Sequence, residues 1–111
     1  MAKYRLYQAK FEERNEPEDL QHACYLARRR GPKHMASHTS LEDFMEHFYD
    51  VTWHGEFNDA KADEDVLEEL FREFNIDHPA GFKSYSMSVG DMVDLDGRIY
   101  WCAPIGFERV N

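Results

Sequence analysis

The stretch from Met92 to Cys102 constrains this chain more than any other. Two β-favouring runs, Met92 to Leu95 and Arg98 to Cys102, flank the pair Asp96-Gly97. That pair tolerates positive φ at both central positions, as a two-residue hairpin turn requires. The sequence therefore predicts an antiparallel hairpin over about 92–102. Strand parity sends Tyr100 and Trp101 to opposite faces, so one belongs to the core and the other is a candidate aromatic anchor for a partner. Ahead of the hairpin, Ser88-Val89-Gly90-Asp91 reads as a sharp bend whose carboxylate accepts from nearby N–H groups. A phosphate cradle would need more glycines and a basic residue. Asp91, Asp94 and Asp96 are close enough in sequence to suggest a cation site, but Asp94 and Asp96 share a parity that Asp91 does not. A solvated face and a turn cap account for them better.

The elements before the hairpin follow from periodicity. Lys3 to Phe11 mixes aromatic and charged residues with strand-like alternation. Pro17, the acids behind it, Arg28 to Arg30 and Gly31-Pro32 mark the start and stop of a short helix, with a strand over Ala23 to Leu26 as the competing reading. Thr39-Ser40-Leu41-Glu42 is a capping-box pattern ahead of Leu41, Phe44, Met45 and Phe48, which share one helical face and predict a helix from Leu41 to Tyr49. Asp50 to Phe57 reads as an extended segment, an edge strand with a turn at Gly55. Asp63, Glu64 and Asp65 read as cap and acidic first turn of a helix whose apolar stripe is Val66, Leu67, Leu70, Phe71 and Phe74. Gly106 to Val110 is a last short strand.

A chain of 111 residues with 42% hydrophobic and 14% aromatic residues carries enough apolar material for one core without staples. The fold class expected is α+β: a single domain over 1–111, with a short antiparallel sheet packed by two or three helices. No apolar run approaches the ~20 residues of a spanning helix, and the first residues lack a signal-peptide core, so a cytoplasmic protein is expected. In that compartment Cys24 and Cys102 are expected to be free thiols rather than a disulfide.

Catalytic signatures are thin. His22, Cys24, His34 and His38 supply zinc-type ligands but lack the paired Cys-x-x-Cys spacing, and scattered surface histidines explain them better. There is no Gly-x-Ser-x-Gly elbow and no zinc-deaminase signature. No cofactor and no enzymatic activity are expected.

Charge carries more information. The net charge of -9 is concentrated between Leu41 and Pro79, where thirteen acids face two bases, Lys61 and Arg72. Such a field repels phosphate and suits a partner with a basic surface. The candidate acidic face comprises Glu42, Glu46, Asp63, Glu64, Glu68, Glu69 and Glu73. The slightly basic remainder holds Arg28, Arg29, Arg30 and Lys33, which with an exposed aromatic would make a small nucleic-acid-binding module, the alternative function.

The order of motifs from Val66 onward resembles one family. Val66 to Asn75, His78-Pro79, Ser86-Met87-Ser88-Val89-Gly90-Asp91-Met92-Val93, Tyr100-Trp101-Cys102 and Gly106-Phe107 are similar to the YodL-like domain. Tyr4 to Tyr7 suits that family's opening strand. The resemblance implies an accessory domain of phages and mobile genetic elements, found alone or within large polyvalent proteins, with no catalytic signature. By that analogy the expected function is a non-enzymatic, acidic counter-defence factor that binds a host protein, one that itself handles nucleic acid.

Overall fold

The computed structural model describes residues 1–9, 42, 45–46, 49–84 and 86–111. Among these, the elements in chain order are β1 (Ala2–Ala9), β2 (Tyr49–Phe57), α1 (Asp63–Glu73), β3 (Met92–Leu95), β4 (Arg98–Cys102) and β5 (Phe107–Arg109). The strands form one antiparallel sheet in the order β2-β1-β3-β4-β5.

The hairpin forms where its turn chemistry dictates. Asp96 has φ 51 and Gly97 φ 94, the left-handed pair of a two-residue turn. Asp94 Oδ1 accepts from the Gly97 N–H at 2.6 Å, and the Asp96 N–H donates to the Lys3 carbonyl at 3.1 Å. The turn is thereby tied to β1. Asp94 and Asp96 are thus turn and solvent residues, half-buried and exposed respectively.

The helix α1 lies on the sheet face formed by Tyr4, Leu6, Val93 and Leu95. Its Val66, Leu67 and Leu70 join them, with Phe57, Phe74 and Met87, in one buried cluster. Each fully buried side chain of this size stabilises the fold by roughly 1.5–3 kcal/mol. Trp53, Phe82 and Phe74 add edge-to-face contacts, with the Phe74 and Phe82 centroids 4.9 Å apart. On the other parity of the hairpin Met92 and Trp101 are cross-strand partners, and both are buried. The hairpin therefore has no exposed apolar face.

Several sequence expectations are corrected here. One continuous helix is present among the described residues, where two or three were expected. The Pro17 helix and its alternative strand lie outside the described residues. Of the Leu41 to Tyr49 segment, Glu42, Met45 and Glu46 are helical, but Tyr49 opens β2. Gly55 is no turn: it sits inside β2 opposite Tyr4. A Cβ built on it would meet the Tyr4 ring at 2.4–2.6 Å, so the glycine makes room for the aromatic ring lying across it. The N-cap of α1 is Ala62, without a side-chain cap bond, and Asp63 is already helical.

A buried polar network ties β1 and β2 to the turn that leads into β3. Between Leu6 and Tyr7 the β1–β2 register shifts, leaving Thr52 as the extra residue of a bulge. Thr52 Oγ1 donates to Gln8 Oε1 at 2.8 Å, and Gln8 Nε2 donates to Asp91 Oδ2 at 3.2 Å. Asp91 Oδ2 also accepts from the Ser88 N–H at 2.9 Å, while the Tyr49 hydroxyl donates to the Gly90 carbonyl. Gly90, at φ 98, turns the chain into β3. The Ser-Val-Gly-Asp stretch is architectural, as its composition suggested.

Two substitutions test these points. Gly55→Ala is expected to destabilise by about 1–3 kcal/mol through overpacking against Tyr4, measured by urea unfolding. In a double-mutant cycle with Tyr4→Leu, most of that loss should disappear. Gln8→Leu removes a donor from a buried carboxylate and is expected to cost about 2–3 kcal/mol in the same measurement.

Candidate interaction surface

The first helical residue of α1 fixes how the helix meets the hairpin. Asp63 accepts two bonds from the Arg98 guanidinium, Nε to Oδ2 at 2.7 Å and Nη2 to Oδ1 at 2.9 Å. The Tyr100 hydroxyl adds a third, to Oδ2, at 2.6 Å. This two-pronged pairing holds the α1 N-terminus over the start of β4. The Arg98 hydrogen bonds, reinforced by Tyr100, hold the Asp63 carboxyl below its ordinary value against a smaller opposing effect of burial. Burial, then the bond to Asp63, pushes the Tyr100 phenol up.

Between α1 and the β4–β5 end of the sheet lies an open, largely apolar groove of about 510 Å³. Phe71, Ile76, Val89, Pro104 and Phe107 are among its walls, with Arg72 and Glu68 on the helix side. A second hollow of about 520 Å³ continues it along the N-terminal half of α1, between Asp63, Glu64 and Tyr100, and shares Glu68, Gly106 and Phe107 with the first. Three of the exposed large apolar residues line the groove, and a fourth, Ile105, neighbours its wall in sequence. Phe71 is 41% exposed, Ile76 81%, Val89 40%, and Ile105, between Pro104 and Gly106, 94%. Single exposed apolar residues are ordinary; a group of them round one groove marks a contact surface.

The acidic residues divide by role. Glu64, Asp65, Glu68 and Glu69 are exposed, and Glu69 is paired with Lys61 at 2.5 Å. Asp63 is committed to Arg98 and Tyr100. Glu73 is half-buried and close enough to Tyr4 for its charge to add to burial in pushing that phenol up to about 12. Glu42 and Glu46 are exposed helical residues. Of the aromatic candidates, Trp101 is buried and Tyr100 is half-buried with its hydroxyl bound, so neither is a free anchor. Arg28, Arg29, Arg30 and Lys33 lie outside the described residues, as do Cys24, His22, His34 and His38. The exposed apolar group was missed by sequence reasoning because Ile76 and Val89 sit in irregular segments that share no period with Phe71 of α1.

Cys102 is a free, buried thiol. Burial, with the Asp91 charge nearby, raises it to about 12, which leaves almost no thiolate at neutral pH. Among the described residues no three His, Cys, Asp or Glu side chains converge as a metal site, and no helix is long and apolar enough to cross a membrane.

The YodL-like domain family matches residues 3–111. The chain belongs to the YodL-like family. The match takes in β1, the helix and the whole hairpin, so all the elements described here belong to the YodL-like domain. No curated protein and no solved structure matches the chain.

The Asp63 ion pair sets a pH expectation for this YodL-like domain. Because the folded-state value lies below the ordinary 3.8, its stabilisation is present above that value and is lost as pH falls through the lower folded one. Asp63→Asn is expected to cost about 1 kcal/mol or less at neutral pH, the range of a partly exposed pair. It should also flatten the fall in stability at the acid end, seen by thermal melts from neutral pH downward.

Proposed function

We propose that this YodL-like domain is a non-enzymatic interaction protein of a phage or other mobile element, acting in the cytoplasm by binding a host protein through the acidic outer side of α1. The observation that carries this reading is the helix itself. Glu64, Asp65 and Glu68 stand exposed with no ion pair among the described residues, and Arg72 is the helix's one base. Beside them lies the apolar groove, so the surface offers both terms of a protein interface, charge for steering and apolar area for holding. A host protein with a basic nucleic-acid-binding groove is the complementary partner, and occupying that groove would make the domain a counter-defence inhibitor. The alternative, direct nucleic-acid binding, rests on Arg28, Arg29, Arg30 and Lys33, which lie outside the described residues.

The test is charge reversal. Glu64→Lys with Glu68→Lys should lower affinity for the captured host partner by about tenfold or more and flatten its salt dependence, while the melting temperature is kept. Glu69 is left unchanged, because a lysine there would confront Lys61. Unchanged affinity in the double variant removes the acidic-face reading.

A further inference from the structure

Among the described strands β5 is the outermost, and Gly106 and Phe107 at its start line the groove. The bonds from the Ala103 N–H to the Gly106 carbonyl and from the Val110 N–H to the Ile99 carbonyl fix which residues face β4. Alternation then turns Gly106, Glu108 and Val110 inward and directs the backbone N–H and C=O of Phe107 and Arg109 outward, away from the sheet. A row of outward backbone groups is a template for a further strand. Above that edge stands one side of α1. Glu64, Glu68, Phe71 and Arg72 are spaced four, seven and eight residues from the first, so they form a single stripe, which Asn75 just past the helix end continues. Every one of them lines the groove or its continuation.

We infer that β5 and this stripe of α1 together receive an extended segment of the partner protein as a sixth antiparallel strand, one that carries a basic residue followed at alternate positions by apolar ones. The inference rests on the protein-binding reading above and specifies the partner segment. Charge sets its polarity. At the Asp63 end, Arg98 is bound to Asp63 and the charge of Arg109 is also felt there, while Glu64 and Glu68 carry no ion pair among the described residues. A lysine or arginine of the segment would complete that end. Towards the other end the charges give way to Phe71, Val89 and Ile76, with Arg72 the remaining cation, which suits apolar side chains and repels basic ones. Because β5 runs from the apolar end towards Asp63, an antiparallel partner meets the acids first and the apolar pocket afterwards. Alternation does the sorting, since only every second side chain of the added strand faces α1.

A second copy of the chain fits this edge poorly. Antiparallel pairing of two β5 strands about Glu108 would set the two glutamates directly opposite one another, between molecules that each carry a net charge of -9.

The probe is a synthetic peptide with one face written Lys, Val, Ile, Val and threonine at the intervening positions, titrated into the isotope-labelled full chain and followed by amide shifts and hydrogen exchange. Binding is expected to shift and protect the Phe107 and Arg109 amides. Replacing the peptide lysine by glutamate should weaken binding about tenfold, as should Ile76→Asp with Val89→Asp in the protein. If those two variants melt early, N-methylating the peptide backbone at the positions facing β5 gives the same answer without altering the protein. Absent shifts at Phe107 and Arg109, equal binding of the glutamate peptide, or affinity untouched by both the groove variants and N-methylation would each overturn the inference. The two readings fail separately. Loss of host-partner binding on reversing Glu64 and Glu68, with no loss in the groove variants, keeps the acidic interface and removes the added strand. The opposite pattern removes the acidic interface alone.

Discussion

The sheet depends on one buried carboxylate. Asp91 has no solvent exposure, and an ionised or neutral carboxyl in that position is tolerated only where its oxygens find donors. The Ser88 N–H comes from its own turn, but Gln8 comes from β1, and Gln8 is itself held by Thr52 of β2. Meeting the needs of one side chain therefore aligns three segments far apart in sequence. A slip of one residue in β1 would turn Gln8 to the other face and leave both polar groups without these partners. The bulge at Thr52 belongs to the same arrangement, since the extra residue is the one whose hydroxyl completes the chain of bonds.

With β1 and β3 fixed, the rest follows by packing. The face bearing Leu6, Val93 and Leu95 has to be covered, and the Val66, Leu67 and Leu70 stripe of α1 covers it. The angle at which α1 lies is set at one end by the Asp63–Arg98–Tyr100 cluster and at the other by Phe74, whose ring is enclosed by Trp53 and Phe82. Held at both ends over the middle of the sheet, the helix leaves a gap beside β5, into which Phe107 rises to meet Phe71 edge-on at 6.2 Å. The groove is thus a by-product of a helix anchored by its ends, with its acidic side turned outward along the rim.

Cys102 illustrates how the same scaffold disposes of a reactive group. It closes the bend in which the Gly90 N–H donates to its carbonyl and its own N–H donates to the Asp91 carbonyl at 2.8 Å. That position places the thiol in an apolar, negatively charged setting, where the neutral form is favoured on both counts. Its role is to close the turn that presents Asp91.

Local instructions were legible in the chain. Asp96-Gly97 specified the hairpin because the need for positive φ is a property of two adjacent residues. The stripe of α1 and the bend at Gly90-Asp91 were legible for the same reason, each being written within a few residues. The same local rules misread Gly55 as a turn, because nothing near it reveals that the Tyr4 ring, some fifty positions earlier, needs the space. They also listed Asp63 with the surface acids, since only the fold brings Arg98 and Tyr100 to it. Parity separated Tyr100 from Trp101 but could not show that both sides of the hairpin are covered. The sequence by itself determined the strands, the helix and the sign of its outer face, all set by short-range sterics and periodicity. Tertiary structure alone decided which acids remain unpaired, which aromatics are withdrawn, and that Phe71, Ile76 and Val89 meet at one groove, because those outcomes depend on contacts between segments whose separation in sequence carries no signal.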